Sequence, residues 1–272
     1  MMKFNSFILN DDMKEIELFD ESLLKNGKCL YEVIKVKEGV PLFLERHIKR
    51  LHNSAKLTSL SLWVEDEYIE KALNKIILKN EVKEGSLKFV LNFDEKVFLA
   101  FFEEVVFPSE KDFSEGVSIW TYKRERDNPN AKVLNMDFRM DLDKFMKEKD
   151  IFEALLVDRN GYITEGSKSN VFIVKDSKII TTPIKDVLPG TKRGIVLEIC
   201  KEANIQLEER NIKEDELSEI QGIFLTSTPF DILPVKEVNG FKIASAENVL
   251  IKKVMHLYSG MIINYIKNKS IS

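Results

Sequence analysis

The chain has 272 residues, 44% of them hydrophobic, with 41 Lys+Arg against 45 Asp+Glu and a formal net charge of −4. That length suits two lobes better than one core, and the mildly acidic balance lacks the basic surface a nucleic acid would require. Two isolated cysteines, Cys29 and Cys200, make neither a disulfide framework nor a metal knuckle, and three histidines argue against a zinc site, so no metal is expected. No run of about 18 apolar residues is present to span a membrane. The apolar stretch near the N-terminus is too short for a signal peptide. The expectation is a soluble, cytoplasmic protein.

Cys29 to Val36 is rich in β-branched and aromatic residues, Glu38-Gly39 turns it, and Pro41-Leu42-Phe43 starts a return, which predicts a hairpin. Glu45 to Leu60 spaces Ile48, Leu51, Ala55 and Leu57 among charges, as an amphipathic helix does. A second helix is expected over Glu67–Leu78, then strands at Ser86–Asn92 and Lys96–Phe102. The polar stretch Pro108–Gly116 is the best linker candidate, which gives a smaller N-terminal domain over 1–115 and a larger one over 116–272. The second domain opens with a strand, Val117–Lys123, followed by a polar loop to Asn130. A helix (Asp137–Lys149), a strand (Glu153–Asp158) and a turn at Asp158–Gly161 come next. Val171–Val174 and Lys178–Thr182 predict another hairpin, Gly190 precedes a helix running to about Ala203, and Gly222–Thr226 is a strand. The tail from Ala246 to about Lys267 is helical by pattern. Strands and helices mix without regular βαβ alternation, so the class is α+β.

Several residues carry a chemical reading beside a plain one. Lys132, in Asn-Pro-Asn-Ala-Lys-Val-Leu-Asn, is an ordinary surface lysine if taken singly, and Glu165, in Thr-Glu-Gly-Ser-Lys-Ser-Asn-Val-Phe, means nothing on its own among 45 Asp+Glu. Arg50 is either a solvated helix arginine or a two-point clamp for phosphate. Leu188-Pro-Gly-Thr191-Lys192 is either a turn or the start of a helix whose first N–H groups face an anion. Ser227 and Thr228, after a strand end, are turn residues or hydroxyl donors; Tyr31 is core or a pocket wall.

In series, these motifs change the reading. The order Arg50, Lys132, Glu165, Leu-Pro-Gly190 and Thr228 resembles the class IV aminotransferases, the fold type IV enzymes that use pyridoxal 5′-phosphate (PLP). Their members include branched-chain and D-amino-acid aminotransferases and aminodeoxychorismate lyases. The resemblance runs from about Cys29 to Val235 and is most specific over Glu153–Arg193. It implies a two-lobed fold with a small α/β N-terminal domain and a larger C-terminal domain built on a mixed, barrel-like sheet. It also implies a homodimer. Lys132 would form the Schiff base with the cofactor and Glu165 would face its ring nitrogen. Arg50, the amides of Thr191 and Lys192, Ser227 and Thr228 would hold its phosphate. Leu188 would pack on the ring, Tyr31 would sit beside the substrate, and Arg124 or Arg126 would reach the ring hydroxyl. The reaction implied moves an amino group from an amino acid, of branched-chain or D-amino-acid type, to a 2-oxo acid. The alternatives are the lyase reaction, which releases pyruvate, and a PLP-binding protein without turnover. Three features depart from the family: Gly-Thr-Lys-Arg193 stands for Gly-Ile-Thr-Arg, Lys168 replaces a small residue, and Ser86–Phe93 has Lys88 as its only cation where D-amino-acid enzymes place an arginine-and-histidine carboxylate trap.

Overall fold

The computed structural model describes residues 4–25, 27–105 and 107–270. The chain divides into two compact units: Met1–Val106 with Ala131–Asn135 and Ile262–Ser272, and Phe107–Asn130 with Met136–Met261.

The first unit is built on β1 (Ser6–Leu9), β2 (Asp12–Glu15), β3 (Cys29–Lys37), β4 (Val40–Pro41), β5 (Glu84–Asn92) and β6 (Val97–Glu103), with helices α1 (Ser22–Lys25), α2 (Leu44–Leu57) and α3 (Asp66–Lys79). The sheet is antiparallel throughout, in the order β2-β1-β6-β5-β3-β4. Period-two alternation sorts its side chains. Leu30, Ile34, Leu87, Phe89 and Leu91 face a core completed by Leu51, Ala55, Ile69, Leu73 and Ile76 of α2 and α3. Tyr31 and Val90 belong to a second cluster with Phe7, Cys29, Leu99 and Phe101. The hairpin and both helices stand where the sequence places them, although α2 ends at Leu57, three residues early. The β1–β2 hairpin is an addition to the sequence reading.

The second unit opens with α4 (Glu110–Glu115), inside the stretch expected to be linker. Ser109 accepts from the Asp112 backbone N–H while the Asp112 carboxylate accepts from Ser109, a reciprocal cap that stabilises even this short polar helix. Next come β7 (Val117–Lys123), α5 (Met136–Lys149), β8 (Glu153–Val157), β9 (Tyr162–Gly166), β10 (Asn170–Lys175) and β11 (Lys178–Thr181). These lead to α6 (Thr191–Glu202), β12 (Leu207–Glu209), β13 (Ile212–Lys213), β14 (Gly222–Ser227), β15 (Asp231–Val238), β16 (Phe241–Lys242) and α7 (Val249–Ser270). The strands make one curled, mixed ten-stranded sheet, β12-β11-β10-β14-β15-β7-β8-β9-β13, with β16 on β15. Parallel pairs β15–β7, β7–β8 and β11–β12 sit among antiparallel ones. Its core is aliphatic, including Ile119, Leu155, Val171, Ile173, Ile223, Leu225 and Leu233. Among the described residues, no helix is long and apolar enough to cross a membrane, and no group of three or more His, Cys, Asp or Glu could hold a metal ion. Cys29 and Cys200 are buried free thiols, both pushed up to about 11 by burial.

Candidate active site

In the first unit, Lys132 lies on a short segment laid against the start of β3. Its carbonyl accepts from the Tyr31 N–H (3.3 Å), and its own N–H donates to Ser54 Oγ (3.0 Å), a fully buried hydroxyl on α2. Leu134 N–H donates to the Cys29 carbonyl (3.0 Å), and Val133 bridges Leu30. The lysine backbone is thus pinned by a main-chain bond with Tyr31 and by the Ser54 hydroxyl, while the side chain crosses the Tyr31 ring with Nζ 4.4 Å from its centre. A second ammonium, that of Lys88, lies 5.0 Å from the same ring and 3.0 Å from Glu103 Oε1. Register explains this: Tyr31 pairs with Val90 and Val33 with Lys88, so Tyr31 and Lys88 project from the same side of the sheet.

Glu32 projects the other way, into α2. It is fully buried, accepting from Arg50 Nε (2.8 Å) and Nη2 (2.6 Å) and lying 2.7 Å from His47 Nδ1. Burial alone would raise this carboxyl, but the Arg50 charge and the bonds from Arg50 and His47 outweigh it and hold it at about 2. Arg50, 7% exposed, is therefore no solvated helix arginine. The fork to Glu32 orients its guanidinium and uses two of the five donors such a group carries.

In the second unit, Glu165 ends β9 almost fully buried. Its Oε1 lies 2.7 Å from Arg126 Nε, and its Oε2 accepts the Leu188 N–H (3.0 Å). Arg126 also donates to the Ser167 carbonyl and lies over Phe138, 4.7 Å from the ring centre. Of the two arginines the sequence offered, Arg126 stands at Glu165, whereas Arg124 faces Asp141 (3.5 Å). Lys168 turns outward to Asp143 (2.8 Å), so its bulk lies away from Glu165.

A residue the sequence reading passed over organises this turn. Glu153, 1% exposed at the start of β8, accepts from the N–H groups of Ser167 (3.0 Å) and Lys168 (3.2 Å) and from both serine hydroxyls, Ser167 and Ser169. A lone acid opening an otherwise apolar run, Glu-Ala-Leu-Leu-Val, was the available signal.

The remaining candidates surround the start of α6. Leu188 is half-buried; its N–H reaches Glu165 and its carbonyl accepts from Asn170 Nδ2 (2.9 Å). A Cβ on Gly190 would overlap Asn170 Oδ1, so this approach needs glycine. Thr191 and Lys192 begin the helix, where amides have no acceptor within the helix. Lys192 is 2% exposed, with its ammonium 3.2 Å from Asp231 Oδ1. Ser227 Oγ donates to the Lys168 carbonyl (2.6 Å), and Thr228 sits half-buried in the turn that follows. Thr226 Oγ1, on the same strand end, is a buried hydroxyl without a hydrogen-bond partner.

These groups suit a phosphorylated pyridine aldehyde. A primary amine sits on a pinned backbone, and a buried carboxylate is held by an ion pair with Arg126 and a hydrogen bond from the Leu188 N–H. A helix start has no room for a Cβ at its cap, and a hydroxyl-bearing turn is tied to the same β9–β10 connection.

Comparison with known proteins accords with this chemistry. The family model for amino-transferase class IV matches residues 29–238. A D-alanine aminotransferase of Bacillus licheniformis is 29% identical over 232 residues, covering 80% of this chain and 82% of that protein. The solved structure of a putative branched-chain amino acid aminotransferase from Thermotoga maritima superposes with a TM-score of 0.84 at 25% identity, covering 95% of this chain and 96% of that one. A putative 4-amino-4-deoxychorismate lyase from Legionella pneumophila shares the fold, with a TM-score of 0.79 at 18% identity over 92% of this chain and 97% of that one. The chain belongs to the class IV aminotransferase family, has the fold type IV architecture, and takes pyridoxal 5′-phosphate as its cofactor.

Proposed function

We propose that the protein is an aminotransferase that moves an amino group between an amino acid, of branched-chain or D-amino-acid type, and a 2-oxo acid. The observation that carries this reading is the seat of Lys132: an amine on a backbone pinned to β3, over Tyr31, with the Lys88 cation beside the same ring. When bound, the cofactor supplies an aldehyde that captures the substrate amine and a ring that takes up electrons from Cα.

Lys132 Nζ would hold the cofactor aldehyde and would move the proton at the substrate Cα. Glu165 holds a proton on the ring nitrogen, and Arg126 and the Leu188 N–H keep that carboxylate in place. Leu188 packs on the ring. Arg50, the amides of Thr191 and Lys192, and the hydroxyls of Ser227 and Thr228 bind the phosphate. Tyr31 walls the substrate pocket, and Lys88 receives the substrate carboxylate in competition with Glu103. We expect a smaller N-terminal domain over 1–115 and a larger, cofactor-binding one over 116–272, although 107–115 cluster with the second compact unit and Ala131–Asn135 and Ile262–Ser272 with the first; we also expect a cytoplasmic homodimer with no nucleic-acid or membrane partner.

The test is a half-reaction. Purified holoenzyme mixed with single L- or D-amino acids converts its cofactor to the amine form, read as a spectral change, and a 2-oxo acid reverses it. Pyruvate release from aminodeoxychorismate without an amino acceptor would assign the lyase reaction instead. No spectral change with any amino acid or with that substrate would indicate an inert binder. Lys88→Met should raise KM for the amino acid about ten-fold and change kcat little, as expected for one charge-assisted contact made equally in both states.

A further inference from the structure

We propose that Lys192, Asp231 and Tyr258 form a buried latch that fixes the start of α6 against the β14–β15 turn and so sets the geometry of the phosphate cup. The inference rests on the reading of these two segments as the cup.

The family pattern gives no reason for a lysine here, since the phosphate contact assigned to this position is made by a backbone amide. Yet the side chain is 2% exposed. Lysine is almost never this buried without a partner, because removing an ammonium from water is costly. Its partner is Asp231 Oδ1 at 3.2 Å. The same oxygen accepts the Tyr258 hydroxyl at 2.7 Å, and the tyrosine ring lies 5.3 Å from the lysine nitrogen. Burial and the adjacent Asp231 charge both push the Tyr258 hydroxyl well above its ordinary range, so it remains a donor. The Lys192 charge is thus matched inside the protein by the Asp231 carboxylate.

The placement of Asp231 gives the pair its consequence. Asp231 lies directly across the hairpin from Ser227 and closes the three-residue turn Thr228-Pro229-Phe230. Its φ of 58° is left-handed, a conformation aspartate tolerates better than most residues. The latch therefore ties the second residue of α6 to the residue paired with Ser227. One segment offers amides, the other hydroxyls, and their separation decides whether both reach one phosphate. Tyr258 extends the tie to α7.

PLP and pyridoxal both react with Lys132, but only PLP carries a phosphate. The ratio of their dissociation constants therefore reads the cup alone. It would be measured on protein resolved from the holoenzyme, alongside the 31P resonance of the bound phosphate in the holoenzyme and the melting temperature. Asp231→Asn and Lys192→Met should each reduce the preference for PLP by about ten-fold or more, the scale of one or two good hydrogen bonds, and shift the 31P signal. Tyr258→Phe, which keeps the ring, should do the same to a smaller degree. The Lys192→Met/Asp231→Asn double variant removes the buried ammonium together with its counter-charge, so its melting temperature should recover while the preference for PLP does not.

If both ligands weaken equally, or if the preference recovers with stability in the double variant, the pair is only structural and the proposal falls. A wild-type protein that prefers PLP, with variants that prefer it equally, also removes the latch but leaves the cup. A wild-type protein with no preference for PLP removes both.

Discussion

Lys132 owes its position to a main-chain bond with Tyr31, a bond from its N–H to the Ser54 hydroxyl and the neighbouring Leu134–Cys29 main-chain bond, none of which involves its own side chain. Lys132→Ala should therefore fold with a stability change within about 1 kcal/mol. It should also lose all turnover and every cofactor bond that borohydride can trap, which mass spectrometry of the reduced protein will read. A trapped adduct in the variant would move the Schiff base to another lysine. Glu32 differs, because its charge is structural. Its folded carboxyl is held at about 2, below an ordinary value of 4.5, so its contribution is complete above 4.5 and is lost as pH falls through about 2. Glu32→Gln should cost about 3 kcal/mol or more at neutral pH, since it leaves Arg50 buried without its counter-charge. Urea titrations of both proteins should converge as the pH drops below 4.5. A gap independent of pH would show that packing, not charge, is what Glu32 supplies.

Among the elements, α6 depends most closely on one residue, Gly190. A methyl group there meets Asn170, whose amide holds the Leu188 carbonyl while the Leu188 N–H holds Glu165. Gly190→Ala should cost about 1–3 kcal/mol by overpacking. It should weaken PLP binding by more than Thr191→Ala, which removes only a side chain where an amide is invoked. Equal effects would argue that the Leu188–Asn170–Glu165 connection is irrelevant to the cofactor. The elements near this site were legible because their signals are local: β-branched runs for β7 and β10, and Pro-Gly before an apolar helix for α6. The strand β15 was not, because Pro234 inside a run argues against a central strand. Pro234 pairs with Phe224 of β14, and the ladder to β7 starts only at Val235. The four-residue β1 and β2 are too short for a periodic signal, and β2 is polar as well. Motif order singled out Lys132, Glu165 and the segments proposed to hold the phosphate, but Glu153 with its serines and Lys192 with Asp231 join distant positions, and only the folded chain pairs them.

At the scale of the whole molecule, the question is what covers the reacting amine. Proton transfer at Cα needs water kept from the site, yet Val133 and Asn135, which follow Lys132, are exposed in the single chain. A second copy is the commonest cover for such a face, since two-fold dimers are the most frequent closed assemblies. We therefore expect light scattering to give twice the 31.5 kDa chain mass at assay concentration. We also expect specific activity to fall on dilution in step with that mass, because a dissociated chain would leave Lys132 open to water. The two measurements must move together: a dimer that dissociates without loss of activity would show that the cover is internal to one chain. A species of single-chain mass with full activity at every concentration would reject the dimer itself.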